Sequence, residues 1–152
     1  ESEGKVYRPI PRDRDQAFFV NEGILPKIVS RKWAMPKIEG FSEDVRWAPG
    51  LAFNARYFDR SFLTNLSRQD WQEAATMLQQ NLTDEAIDFA VKQWPETIYQ
   101  ITGAQTASIL KSRRDHLKDY ALELYEHLAK AVDVVGTNKD ELFLIEALAQ
   151  VS

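Results

Sequence analysis

The sequence predicts a single, mainly α domain of the α+β class, with four to five helices and minor strands near residues 5–10 and 132–137. Two observations predict this class. Apolar residues recur at steps of three and four through most of the chain after residue 53, which is the spacing of one helix face. Helix-capping residues stand before two of these stretches. A length of 152 residues fits one helical domain, 1–152.

Prolines and glycines interrupt the first fifty residues. Alternating polar and apolar residues predict the strand at 5–10, and Pro26 in a first turn favours a short helix at 24–33. The following stretch, 34–51, is predicted to be mostly loop because four turn-forming residues punctuate it: Pro36, Gly40, Pro49 and Gly50. A loop of this length is typical of a functional surface or of a segment that packs on a partner.

Two helices are predicted between residues 53 and 80. An apolar stripe predicts the first, at 53–66, with its aromatic residues in the core. Ser67 followed by Asp70 resembles a capping box and opens the second, at 69–80. The residues expected to face inward are Phe53, Tyr57, Phe58, Phe62, Leu63 and Leu66 in the first helix and Trp71, Ala74, Ala75 and Leu78 in the second.

Three further helices are predicted in the rest of the chain. Thr83 caps a helix that Pro95 ends. A short helix at 96–102 is stopped by Gly103, and the longest apolar pattern predicts one continuous helix at 106–132. The residues expected to face inward are Ile87, Ala90, Val91 and Trp94 in the first of these and Ile109, Leu110, Leu117, Tyr120, Leu124, Leu128 and Val132 in the last.

The composition excludes several classes of function. A net charge of -4 gives no electrostatic case for binding nucleic acid. No apolar run approaches the roughly 18 residues that a membrane-spanning helix needs, so direct membrane insertion is not expected. Because the chain has no cysteine, thiolate chemistry, zinc–thiolate sites and disulfides are excluded.

The sharpest local motif is an Asp-x-Asp pair, Asp13 and Asp15. In an extended segment these two carboxylates point to the same side, where they are able to hold Mg²⁺ together with substrate phosphates. Arg12 and Arg14 then face the opposite side, or clamp phosphate oxygens where the backbone turns. The alternative is a solvated run of charges that pair with one another, and the spacing alone favours that alternative.

A second polar cluster lies within the predicted aromatic helix. Asn54 or Asp59 would complete a cation site, and Arg56 or Arg60 would bind an anionic ligand. The alternative is that these residues form salt bridges between helix and loop, which the surrounding core aromatics favour. Further along the chain, a short run of basic residues is expected to lie on a solvated helix face. These residues are Lys111, Arg113 and Arg114.

Residues 11–18 read Pro-Arg-Asp-Arg-Asp-Gln-Ala-Phe. This string resembles the metal-binding segment of the CotH-type spore-coat kinases, a secreted branch of kinase-like proteins. The resemblance implies that Asp13 and Asp15 bind Mg²⁺. It also implies a kinase-like C-terminal lobe fragment, because the nucleotide-clamping lysine and the catalytic aspartate of that family lie upstream of this segment.

Three stretches, 12–19, 53–60 and 134–138, resemble a region of large secreted or outer-membrane proteins of Bacteroidetes-type bacteria. Those proteins often combine a metallophosphoesterase domain, a region of this kind and a surface-antigen barrel. The resemblance implies that the chain is a fragment of a larger protein, that it is secreted, periplasmic or outer-membrane-associated, and that its partners are other domains of the same parent chain.

Two hypotheses of function follow from the sequence. The first is a kinase-like C-terminal lobe fragment that retains the metal-binding pair Asp13 and Asp15. The second is a non-catalytic helical interaction or spacer module adjoining a phosphoesterase domain. In either case the isolated chain is expected to turn over neither ATP nor phosphate esters, because phosphoryl transfer needs a metal, a nucleotide clamp and a group that orients the nucleophile.

Overall fold

A computed structural model describes residues 17–21, 23–31, 33–132, 139–142 and 144. Over this part of the chain the protein is mainly helical, as predicted, and contains no strand. The strand predicted at 5–10 lies outside the described residues, as do residues 133–137 of the second predicted strand. Val132, the first residue of that second strand, is described and is not in a strand. None of the helices in the described residues has both the length and the hydrophobicity of a membrane span.

Short helical turns dominate the region before residue 53. Helix α1 covers Ile24–Val29, a 3₁₀ turn covers Pro36–Ile38, and α2 covers Ala48–Leu51. Gly23 has a φ of 98° at the start of α1, a left-handed conformation that glycine adopts without steric cost. The helix predicted at 24–33 is therefore present but shorter, and the predicted loop contains two helical turns.

Two helices follow in the region predicted to hold them. A 3₁₀ turn at Phe53–Ala55 leads into α3, Arg56–Leu63, and α4 covers Arg68–Asn81. The capping box of α4 is confirmed: the Ser67 hydroxyl accepts a hydrogen bond from the Asp70 amide, and the Asp70 carboxylate accepts one from the Ser67 amide. Because a capping box satisfies two free amides of the first turn, it fixes where α4 begins.

Helix α5 covers Asp84–Val91, with the Thr83 hydroxyl accepting from the Ala86 amide at 3.2 Å. Helix α6, Glu96–Ile98, continues through a π-helical turn, Tyr99–Gly103, into the next helix. Gly103 does not stop the helix as predicted. Its backbone instead lies so close to Tyr99 that a Cβ added there would stand 2.3 Å from the Tyr99 ring.

The single long helix predicted at 106–132 is in fact two helices. Helix α7 covers Ala104–Asp115, and α8 covers Leu117–Leu128. They are separated by His116, whose φ of -98° and ψ of 8° are not helical. Neither glycine nor proline marks this break in the sequence, so the helical periodicity alone does not reveal it.

The hydrophobic core lies where α5 packs against α7. Its buried residues are Ile87, Val91 and Ala107, with Trp94, Tyr99 and Leu110 packed against them. A second contact joins α4 to α8, and the Ala48 amide of α2 donates a hydrogen bond to the Glu123 carboxylate of α8 at 2.9 Å. Nine residues predicted to face inward are exposed: Phe53, Tyr57, Phe58, Phe62 and Leu66 in the stretch predicted at 53–66, and Ala74, Leu78, Ala90 and Val132 further along the chain.

Candidate functional site

The predicted magnesium site lies outside the described residues. This applies to the two carboxylates, Asp13 and Asp15, and to the two neighbouring arginines, Arg12 and Arg14. In the part of the chain that the structure describes, no group of three or more His, Asp or Glu side chains is placed to hold a metal ion. The Asp-x-Asp pair therefore stays a prediction from the sequence.

The second predicted cluster is described, and its members are engaged separately. The Arg56 guanidinium stacks between two rings, 4.1 Å from the Phe53 centroid and 4.4 Å from the Tyr57 centroid. Arg56 also donates a hydrogen bond to the Phe53 carbonyl at 2.7 Å. Asn54 is exposed, whereas Asp59 is half-buried and its pKa is raised by that burial.

The structure does not join these residues into one site. Within the described residues, no hydrogen bond or ion pair connects the side chains of Asn54, Arg56 and Asp59. The salt bridges expected as the alternative are not formed there either. Arg56 instead packs against the rings of Phe53 and Tyr57, because a guanidinium stacks favourably on ring faces. It thereby becomes part of an aromatic surface.

That surface is the aromatic face of α3, formed by Tyr57, Phe58 and Phe62. These side chains are 73%, 47% and 51% exposed, and the Phe58 and Phe62 rings lie 4.5 Å apart. Helix α3 has no buried residue at all. The expectation that its aromatic residues lie in the core is therefore wrong.

The opposite side of α3 carries its charges. At 100° per residue, Asp59 lies across the helix axis from Tyr57, and Arg60 lies across it from Phe58. Both charged side chains are half-buried. A helix on a protein surface ordinarily turns its apolar side inward and its charged side to water. Helix α3 does the reverse, which marks its outer face as a surface suited to contact another molecule.

Two cations border the aromatic face through the ring of Phe53. One is Arg56, and the other is Lys37, whose Nζ lies 5.7 Å from the Phe53 centroid. Neither cation makes an ion pair within the described residues. We call Lys37 and Arg56 the basic edge of the aromatic face. A partner surface that complements the aromatic face and its basic edge would be apolar, with carboxylates along one border.

The structure corrects the prediction that Arg113 lies on a solvated face. Arg113 is half-buried, donates a hydrogen bond from Nε to the Ser42 carbonyl at 2.7 Å, and stacks on Phe41. A signal was available, since Arg113 lies four residues after the buried Ile109 and thus on the same side of the helix.

No family model, curated protein or solved structure matches the chain. The resemblances to CotH-type kinases and to the Bacteroidetes-type proteins therefore stay predictions from short stretches of sequence. The functional argument rests on the contacts, burial and charges of the described residues, and the strongest of these observations concern the aromatic face of α3.

Proposed function

We propose that this chain is a non-catalytic helical interaction module, which docks through the aromatic face of α3 onto another domain of a larger parent protein. The observation that carries the proposal is the orientation of α3. Tyr57, Phe58 and Phe62 face outward, while the charged residues across the helix are half-buried.

The energetics favour a partner in the same polypeptide over a free one. Covering three half-exposed aromatic side chains removes on the order of 300 Å² of apolar surface from water, worth about 7 kcal/mol. Association in solution costs about 4–15 kcal/mol or more in lost translational and rotational freedom. This cost is as large as the gain from burying the three rings. A covalent tether lowers that cost by raising the effective concentration of the partner.

The charges of the site define the chemistry of the docking surface. The basic edge, Lys37 and Arg56, has no carboxylate partner within the described residues. We therefore expect the partner domain to offer an apolar patch with Asp or Glu side chains along one border. Charges at such a border fix the orientation of docking and suppress wrong partners.

The identity of the neighbouring domain is the finer part of the proposal. The sequence resemblance implies a phosphoesterase domain in a secreted or outer-membrane-associated protein. Residues 53–60, one of the three stretches that carry that resemblance, include the start of the aromatic face. This overlap supports the idea that the face belongs to the docking function of the region.

Photo-crosslinking in the full-length parent protein tests the proposal. A benzoylphenylalanine replaces Tyr57, and the control carries it at Phe89, which is 68% exposed on α5. The expected result is an intramolecular crosslink from position 57 to a segment rich in Asp or Glu, and none from position 89. Equal crosslinking from the two positions, crosslinks between copies alone, or no crosslink from position 57 would each overturn the proposal.

The kinase-like lobe is the second candidate, and one sequence observation favours it: the string from Pro11 to Phe18 that contains Asp13 and Asp15. We propose to test the kinase-like candidate by substituting each of these two aspartates in the same parent protein. Asp13→Asn or Asp15→Asn is expected to abolish magnesium-dependent nucleotide binding and leave the melting temperature unchanged. If both substitutions lower the melting temperature and nucleotide binding persists, the pair is a structural charge cluster.

A further inference from the structure

Two neighbouring cavities lie beside the first turns of the chain and α7, and they share Leu51 and Arg113 as wall residues. The apolar cavity, of about 300 Å³, is otherwise walled mainly by Leu82, Leu110, Leu117 and Tyr120. The polar cavity, of about 420 Å³, includes Lys37, Glu39 and Phe41 in its wall. Cavities of this size, mostly apolar with a few charged groups, are typical of small-molecule sites.

Arg113 is the charged group common to both cavities. Its Nε donates to the Ser42 carbonyl at 2.7 Å, and its guanidinium carbon lies 4.6 Å from the Phe41 centroid. Within the described residues, no carboxylate lies at ion-pair distance from it, and its terminal nitrogens have no hydrogen-bond acceptor. Burial lowers the pKa of Arg113, yet arginine stays charged in proteins.

The adjacent residue of α7, Arg114, is an arginine whose guanidinium has several hydrogen-bond acceptors. Arg114 bonds to the Asp84 carboxylate at 2.5 Å, to the Asp115 carboxylate at 2.8 Å and to the Leu82 carbonyl at 3.0 Å. Arg113 lies one position earlier in the same helix, and among the described residues its guanidinium has a single hydrogen-bond acceptor, the Ser42 carbonyl. A half-buried cation with free donors is a natural partner for a carboxylate.

The other charged residues of the polar cavity leave Arg113 available. The Glu39 side chain is 3% exposed and accepts a hydrogen bond from the Arg46 amide at 2.9 Å, with Arg46 Nε at 3.9 Å. Glu39 is therefore already paired. Lys37 adds a second cation to the same wall, which therefore holds two cations and one carboxylate. Glu39 attracts Arg113 from beyond ion-pair distance and so opposes the lowering of the Arg113 pKa by burial.

We infer that these paired cavities bind a small carboxylate with an apolar body. Its carboxylate pairs with the free guanidinium nitrogens of Arg113, where two parallel hydrogen bonds are geometrically favoured. Its body enters the apolar cavity against Leu110 and Leu117. None of the three aromatic-face residues lines either cavity, but Lys37 of the basic edge lies in the wall of the polar cavity. The pairing with Arg113 is the part of the inference that is separate from the docking role of α3.

Titration of the chain with octanoate, followed by calorimetry and by amide chemical shifts, tests the inference. We expect saturable binding at one site, with shift changes at residues around both cavities. Octylamine has the same body with the opposite charge, and acetate has the charge without the body. Both are expected to bind at least about tenfold more weakly. Octylamine cannot accept the charge-assisted hydrogen bonds from Arg113, and acetate lacks the methylene groups that fill the apolar cavity.

Two variants complete the experiment. Arg113→Met keeps an unbranched side chain and is expected to weaken octanoate binding by about tenfold or more, whereas Lys118→Met removes an exposed cation of α8 and leaves it unchanged. Where Arg113→Met does not fold, the shifts of the unmodified chain decide. The inference is overturned by octylamine binding as tightly as octanoate, by unchanged affinity in Arg113→Met, by shifts confined to α3, or by no binding at millimolar octanoate.

Discussion

Helices α5 and α3 are the same length, eight residues each, and both carry apolar residues at helical spacing. Helix α5 buries Ile87 and Val91 against α7, while α3 buries nothing and turns three aromatic side chains outward. The comparison shows that periodicity identifies an apolar face but not what covers it. The face of α5 stabilises the fold, and the face of α3 is available for binding.

The largest expected effect is on the α5 side of this comparison. Ile87→Ala removes a side chain that is 6% exposed, and we expect it to lower the free energy of unfolding by about 2–5 kcal/mol. Urea denaturation measures the change. The matched control is Phe89→Ala in the same helix, whose exposed ring leads us to expect a change within about 0.5 kcal/mol. Similar losses for the two variants would mean that the α5–α7 contact is not the core.

The next largest effect concerns the π-helical turn that leads into α7. In Gly103→Ala the new Cβ would lie 2.3 Å from Cδ2 of Tyr99, so the ring must move from its place in the core. Overpacking of this kind costs about 1–3 kcal/mol in unfolding free energy. A double-mutant cycle with Tyr99→Ala isolates the clash, because Gly103→Ala is expected to cost much less once the ring is absent. Additive losses would contradict this account.

The sequence predicts local features well and tertiary features poorly. The helix predicted at 69–80 is found at Arg68–Asn81. Its start could be predicted because the capping box is a local signal of four residues, Ser67 to Asp70. The break at His116 carries no glycine or proline signal. It coincides with a contact from α4, where the Gln79 side chain donates to the Asp115 carbonyl at 3.0 Å, and residues so distant in sequence give no local pattern.

The candidate sites divide in the same way. The sequence predicts the aromatic residues of α3 as one helical stripe, and that stripe exists, but its outward direction depends on which neighbours are present. The role of Arg113 depends on the loop that brings Phe41 and Ser42 over α7, a contact across more than seventy residues of sequence. The prediction for Asp13 and Asp15 lies outside the described residues.

A smaller effect contrasts one carboxyl group from each helix. The hydrogen bond from Arg114 lowers the pKa of Asp84, at the start of α5, below 3.8, whereas burial raises the pKa of Asp59 in α3 above 3.8. The Asp84 contribution to stability is therefore complete above pH 3.8 and is lost as the pH falls through its lower folded pKa. Ionised Asp59 destabilises the fold, and protonation removes that cost as the pH falls through its raised folded pKa.

Two variants test these opposite contributions to stability. The free energy of unfolding of each is measured by urea denaturation at pH 7 and at pH 3. At pH 7, Asp84→Asn is expected to be less stable than the unmodified chain, and Asp59→Asn slightly more stable. Both differences are expected to shrink at pH 3, which lies below the ordinary carboxyl pKa of 3.8. Changes of the same sign for the two variants at pH 7 would show that the two carboxyl groups do not differ in environment.

The smallest effect on stability is expected on the aromatic face itself. Tyr57→Ser and Phe62→Ser remove rings that are more than half exposed, so each is expected to change the free energy of unfolding by no more than about 0.5 kcal/mol. The same substitutions are expected to reduce docking in the full-length parent protein, measured as faster protease cleavage between this region and its neighbour. Tyr57→Phe is the control, because it keeps the ring and is expected to leave both measurements unchanged. If the serine variants instead unfold at markedly lower urea, the aromatic face is part of the core in solution, and the contrast between α3 and α5 does not hold.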